Sequence, residues 1–420
     1  MEQTPDSGFF YGYIIVISSL LISIVMWGSR LSFGVFIIPL LDEFGWSRAL
    51  TSAAFSVTWI GAGLLSIVAG RLNDRFGPRL IMTAAGCFLG LGYYLISTVS
   101  NITQLFIYYG VVNIGMSTVI TPLMSTVARW FVKMRAFMSG IVLAGTGIAL
   151  MLAVPLANRL ILSYGWRHSY LVVGVVTFMV ITINAQLLRR DPFKMGKTPY
   201  GYQTSKTPAT ADSSGMTLGE SLHTRQLYLL GLVFFCSYLL YYLIVAHIIL
   251  YAIGAGITSD RAILIVSTLG LAGIAGRILM GILADELGNK ETMITCAILM
   301  IISFVLLLLS SQFSMLMIFA VAFGFGHGGM ATMESPMTAH IFGLRAHGAI
   351  LGIVFASDTV GGALGPVIAG YIFDLTCSYS PAFKFAAVIT VVNLVAVLFL
   401  KPVGDTGTPH PAPPEPVKPS

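Results

Sequence analysis

Twelve stretches of mainly apolar residues, each about 20 residues or longer, fill most of this chain. They cover approximately 11–40, 48–70, 79–98, 103–127, 136–162, 167–188, 226–254, 260–284, 291–311, 313–340, 347–374 and 380–401. A helix of roughly 20 apolar residues crosses the ~30 Å hydrocarbon of a bilayer, where each backbone polar group must find its partner within the segment. Helices are therefore the regular structure open to these runs. Only 10% of the residues are charged and 56% are hydrophobic, whereas about a quarter of a soluble domain is charged. The expected fold class is an all-α membrane protein with twelve transmembrane helices, its first partner being the lipid bilayer.

Lys and Arg in short loops are retained on the cytoplasmic side. With the first residue inside, sixteen basic residues fall on that side, among them Arg71, Arg75, Arg79, Arg129, Lys133, Arg135, Lys290 and Arg345, against five on the other: Arg48, Arg159, Arg167, Arg261 and Lys384. Both termini are expected in the cytoplasm, and the net charge of +6 reads as a topology signal with no nucleic-acid partner. Residues 1–10 lack a basic n-region and a cleavage site, so the first run is expected to stay in the protein. Cys87, Cys236, Cys296 and Cys377 are widely spaced, which predicts free thiols, no disulfide and no metal. Compact loops without processing signals point to the plasma membrane of a prokaryote, the cell inner membrane; a monomer is expected.

The chain is also internally repeated. Gly70-Arg71-Leu72-Asn73-Asp74-Arg75-Phe76-Gly77-Pro78-Arg79 returns 211 positions later as Gly281-Ile282-Leu283-Ala284-Asp285-Glu286-Leu287-Gly288-Asn289-Lys290, Phe131 maps to Phe342, and Pro155 maps to Pro366. A parallel repeat of six spans implies two pseudo-symmetric six-helix bundles with a site at their interface near the midplane. The expected bundles are 1–188 and 226–401, joined by a polar cytoplasmic linker at 189–225 and followed by a proline-rich, disordered cytoplasmic tail at 402–420.

Chemistry in such a chain rests on the few ionisable residues left inside apolar runs, each of which costs on the order of 3 kcal/mol to insert. Arg277, flanked by Gly273, Gly276 and Gly281, offers a planar fork that matches a carboxylate, or else it pairs with an acid on a neighbouring helix. Arg30 offers a second anion contact or snorkels outward. Asp358 lies mid-span between Ser357 and Thr359, where protonation would free a paired arginine for a carboxylate substrate; Arg277 or Arg30 is the expected partner. Glu334 reads either as a gate contact or as a proton carrier. His327 and His247 titrate near neutral pH or serve as packing residues. Asn113, Tyr241, Tyr242 and Tyr371 are candidate lining. Glycine clusters such as Gly140, Gly145 and Gly147 let helices approach closely. No Walker loop, His-Glu-x-x-His pair or nucleophile elbow occurs, so neither an enzyme nor a cofactor is expected.

The duplicated Gly-x-Leu-x-Asp-x-x-Gly-x-Arg/Lys loop resembles the signature of the major facilitator superfamily, over spans 1 to 12. The resemblance implies the major facilitator fold, alternating access, and gating by Asp74, Arg75, Arg79, Asp285, Arg135 and Arg345. Trp130-Phe131-Val132-Lys133-Met134-Arg135 with Gly140 and Ala144-Gly145 is similar to the signature of the monocarboxylate porter family; Met134 and Ala136 depart from it. That family's span 1 pattern survives only as Asp6-Ser7-Gly8 and Tyr11-Gly12-Tyr13. The family carries an arginine at the place of Arg277 and a lysine near Arg30, and its oxalate exchanger has a lysine near Asp358. The implied function is proton-coupled symport of a small carboxylate such as lactate or pyruvate. The alternatives are an organic anion exchanger or uniporter of the oxalate/formate type, or a carboxylate sensor that binds without transport.

Overall fold

The structure is a computed structural model that describes residues 10–202, 215–309 and 311–403. The Asp6-Ser7-Gly8 segment, the middle of the linker and nearly all of the tail lie outside these residues. Fifteen α-helices are described: α1 (Gly12–Leu31), α2 (Phe33–Phe44), α3 (Arg48–Phe76), α4 (Pro78–Ser97), α5 (Ile102–Ser117), α6 (Ile120–Trp130), α7 (Arg135–Leu187), α8 (Leu218–Leu222), α9 (Arg225–Gly254), α10 (Ser259–Leu287), α11 (Asn289–Leu309), α12 (Phe313–Thr332), α13 (Glu334–Phe342), α14 (His347–Thr376) and α15 (Ser380–Leu398).

These helices make twelve crossings. Ten helical stretches are long and apolar enough to span a bilayer. One of them, α7, contains 53 residues broken at Gly165, whose φ of 76° and ψ of 159° interrupt the helix. It therefore crosses twice. The 29-residue α3 supplies the remaining crossing. Large apolar side chains such as Met151, Leu162, Val367 and Leu375 are exposed on the outside, as a lipid-facing surface requires.

Three spans are built from two helices each. The first breaks at Ser32, whose hydroxyl donates 2.7 Å to the Gly28 carbonyl. The fourth divides between α5 and α6 with Pro122 just beyond, and the tenth divides between α12 and α13 with Pro336 just beyond. Proline has no N–H and removes one i→i−4 bond, so the breaks in the fourth and tenth spans have one local cause. Gly77 and Gly288 close the repeated loops with φ of 83° and 108°. With ψ of 165° and 153° both lie in a region that is essentially open to glycine alone.

One apolar core runs from Ile15 to Leu188 within α1–α7 and takes in Leu351 from α14. Two further clusters fill α9–α15. The linker touches both sets of helices at equivalent loops. Tyr200 pairs with Trp130, Val132 and Lys133 through the backbone, and the Met216 N–H donates 2.9 Å to the Phe342 carbonyl.

Candidate substrate cavity and its gate

A cavity of about 90 Å³ lies between the two sets of helices. A buried water needs roughly 10–15 Å³ measured this way, so the space suits a molecule of a few heavy atoms. Its first wall comes from α1, α3, α5 and α6, with Trp27, Arg30, Ser66, Ser117 and Thr121; its second comes from α9 and α14, with Tyr238, Tyr242, Phe355, Asp358 and Thr359. Arg30 is 7% exposed and Asp358 5%. The Arg30 guanidinium sits 5.5 Å from the Trp27 ring centre and occupies the last turn of α1. The negative end of a helix dipole favours a cation there.

Neither Asp358 oxygen is hydrogen-bonded to an arginine among the described residues, although Arg30 stands on the opposite wall of the cavity. The Asp358 carboxyl group lies within hydrogen-bond reach of the Glu334 carboxyl, and among the described residues no N–H or O–H reaches either Asp358 oxygen or Glu334 Oε1. Glu334 is 3% exposed and begins α13, where the positive end of the helix dipole favours a carboxylate. The break in the tenth span thus brings a second acid to the wall behind Asp358. Tyr238 and Tyr242 lie in electrostatic reach of Asp358, and Tyr238 also of Glu334.

On one side of the cavity the two sets of helices are locked together. Asp74, at the end of α3, accepts the Ala349 N–H at 3.0 Å and so caps the start of α14. Arg129 approaches Asp74 at 3.7 Å and donates to the Leu344 carbonyl. Asp285, at the end of α10, accepts the Ala136 and Phe137 N–H groups at 3.1 and 2.9 Å and so caps the start of α7. Between these ends and the cavity, Ser66 Oγ donates 2.9 Å to the Gly352 carbonyl and Arg277 Nη1 donates 3.3 Å to the Leu143 carbonyl. The backbones nearly touch: a Cβ on Gly70 would lie 2.0 Å from the Gly348 carbonyl oxygen, and one on Gly140 would lie 2.3 Å from that of Arg277.

The repeat, the twelve crossings and the central cavity closed on one side have a counterpart among known families. A family model for the Major Facilitator Superfamily matches residues 18–273 and 230–420. This chain belongs to the major facilitator superfamily. Among curated proteins it is similar to monocarboxylate transporter 13 of Rattus norvegicus, 26% identical over 91% of this chain and 87% of that protein. Monocarboxylate transporter 7 of Homo sapiens is 23% identical over 95% of this chain and 87% of its own. Among solved structures, the proton:xylose symporter XylE superposes with a TM-score of 0.75 at 14% identity, covering 93% of this chain and 96% of that chain. The fucose transporter FucP in the outward conformation gives 0.70 at 16% identity, with 93% and 99% covered. The chain is thus a multi-pass membrane transporter with the major facilitator fold.

The remaining residues singled out in the transporter's sequence fall at several depths. Arg277 is half-buried and is not among the residues lining the cavity; besides Leu143 it faces His327 and the tyrosines of α9. His327 is 3% exposed and stacks on Tyr241 with ring centres 4.2 Å apart. Asn113 accepts from the cavity-lining Ser117 at 2.8 Å and sets that hydroxyl in place. His247 lies away from the cavity, bonded to the Pro366 carbonyl at 3.0 Å and the Tyr379 hydroxyl at 3.2 Å. Tyr371 is 65% exposed. Arg75, Arg79 and Arg345 are exposed: Arg75 packs over Phe76, Arg79 bonds Gln186 within its own half, and Arg345 faces Glu220. Arg135 donates to the Ala128 and Phe131 carbonyls. Arg129, Tyr238 and Ser66 were not singled out from the sequence. Arg129 resembles any loop arginine there, and nothing in an apolar run tells which of its tyrosines or serines faces a neighbour.

Proposed function

We propose that this protein is a secondary active transporter that carries a small monocarboxylate, lactate- or pyruvate-like, together with a proton by alternating access. It acts as a monomer in the plasma membrane, with both termini and the Asp74/Asp285 gate on the cytoplasmic side. The observation that carries this reading is the cavity between the halves, with a buried arginine on one wall and a buried carboxyl group on the other. Arg30 supplies a fixed charge and a planar fork for one carboxylate. The cavity volume suits an acid of three or four carbons, and the similarity to monocarboxylate transporters points to the same class of cargo.

An ionised acid on the opposite wall repels an incoming carboxylate, and protonating it removes the repulsion. Proton and anion then load together and leave together. Arg277 stands one layer deeper, where it holds Leu143 while the gate is closed and is released to meet the substrate when the halves part. A dianion would meet one cavity arginine and an acid, so monovalent cargo is favoured over oxalate exchange.

The test is uptake of labelled lactate or pyruvate into proteoliposomes, acid outside. Accumulation above equilibrium, collapsing when a protonophore is added, is the expected result. Binding without flux would make the protein a sensor, and flux indifferent to the gradient would make it a uniporter. Arg30→Ala is expected to lose substrate binding, with Arg30→Lys recovering only part because the fork is lost.

A further inference from the structure

The carboxyl groups of Asp358 and Glu334 meet in the apolar interior with no N–H or O–H donor from the described residues on either Asp358 oxygen or on Glu334 Oε1. Two carboxylates in one buried site cannot both be ionised. A proton between them satisfies the donor that each oxygen lacks, because a protonated carboxyl group donates to the other. From these facts, and resting on the proton-coupled reading above, we infer that Asp358 and Glu334 form a single proton-binding unit. The unit holds one proton while waiting for substrate, takes a second proton with each carboxylate, and releases it on the opposite side.

The geometry assigns the two acids different parts. Asp358 lines the cavity and presents the unit's negative charge to an incoming anion. Glu334 stands at the start of α13, in the break of the tenth span, where the helix dipole supports whichever charge remains. The groups facing the pair are Tyr238 and Tyr242 on α9; Arg277 on α10 lies in electrostatic reach of both tyrosines, the His327 ring on α12 meets that of Tyr238, and Arg30 lies on the opposite cavity wall. None of them is a carboxylate or a metal ligand. One proton entering and one leaving per turnover balances the single charge of a monocarboxylate.

The unit predicts a pattern that neither acid would give alone. An amide retains the donor that its neighbour needs, so Glu334→Gln and Asp358→Asn each leave one titrating carboxyl group supported by an N–H. Both variants are expected to retain accumulation of lactate driven by an inward proton gradient, reduced by about threefold in Glu334→Gln and by more in Asp358→Asn, which takes the charge off the cavity wall. Glu334→Ala removes the donor while leaving Asp358 intact, and Asp358→Ala does the converse. Each is expected to lose gradient-driven accumulation while keeping lactate counterflow at equal pH, which also shows that the carrier is folded and moving. The double amide Asp358→Asn/Glu334→Gln, which keeps both side-chain shapes, is expected to behave like the alanine variants. Coupled accumulation by Glu334→Ala would reduce the site to Asp358 alone, and accumulation by the double amide would overturn the unit altogether. If an alanine variant does not fold, the double amide decides. Accumulation driven by a sodium gradient at equal pH would also overturn the proposal. A parent protein that transports none of the acids would mark failure of the function reading instead, before any variant is compared.

Discussion

The Asp74 and Asp285 loops descend from one repeated motif and do the same thing in opposite directions. Each carboxylate ends a helix of its own half and caps the first turn of a helix in the other. The surroundings differ. Asp74 shares its cap with Arg129, which is 4% exposed and also holds the Leu344 carbonyl of the second half. Asp285 uses both oxygens on two backbone N–H groups, while Arg135 spends its Nε on carbonyls of its own segment. One lock is a cap joined by a salt bridge at 3.7 Å; the other is a cap whose arginine, Arg135, lies in electrostatic reach of the carboxylate while its Nε stays on its own segment. The comparison teaches that a duplicated backbone frame fixes where the carboxylates sit, and that strength is then set by which arginine each half can bury.

The largest effect is expected at Asp74. Asp74→Ala leaves Arg129 buried without its carboxylate, a change of about 3–5 kcal/mol, whereas Asp285→Ala removes an N-terminal cap worth about 0.5–2 kcal/mol. Spin labels at Leu72 and Leu287, both exposed on this face, report the opening of the gate once the native cysteines are replaced. Asp74→Ala should shift the distance distribution almost wholly to the open form and Asp285→Ala only partly. Equal shifts would erase the proposed difference between the locks.

The glycines come next. A Cβ on Gly70 would lie 2.0 Å from the Gly348 carbonyl oxygen, while one on Gly281 would lie 3.0 Å from that of Ala136. Backbone cannot yield as a side chain does, and overpacking costs about 1–3 kcal/mol, with Gly70→Ala at the upper end and Gly281→Ala at the lower. The rate of lactate uptake should therefore fall by on the order of a hundredfold in the first and by about fivefold in the second, since tenfold corresponds to about 1.4 kcal/mol. The reverse order would show that the Asp285 interface is the tighter one.

The architecture was legible in the chain because apolar length and a displaced copy of a loop are one-dimensional signals. The carboxylates of that loop were legible for the same reason. Arg30 and Asp358 stood out as charges in apolar runs, and both reach the cavity. The facing of residues was not legible. Arg277 interrupts its run as conspicuously as Arg30, yet it turns toward Leu143, since flanking glycines signal close packing without giving its direction. Tyr371 sits on an outer face, as one residue in a 3.6-residue turn can. The expected pairing of Asp358 with an arginine gives way to Glu334 because the tenth span breaks after Thr332, and a straight helix would aim that side chain elsewhere. Only Pro336 hinted at the bend.

Ser66 and Arg277 give the smallest and sharpest test, for they are separated by the same 211 positions as the two carboxylates. Each reaches the opposite half's backbone, Ser66 at Gly352 and Arg277 at Leu143. The serine makes a neutral bond of 2.9 Å beside the cavity that it lines; the arginine makes a longer bond of 3.3 Å from a stronger donor. Net values for such bonds run about 0.5–1.5 kcal/mol when neutral and about 1.5–3 when charged. Ser66→Ala should therefore open the gate by about two- to tenfold in population, whereas Arg277→Met, which keeps length without the donor, should open it by more than about tenfold. If Ser66→Ala proves the more disruptive, the closed state is held on the Asp74 side at every depth, and Arg277 is left free for the substrate in both states.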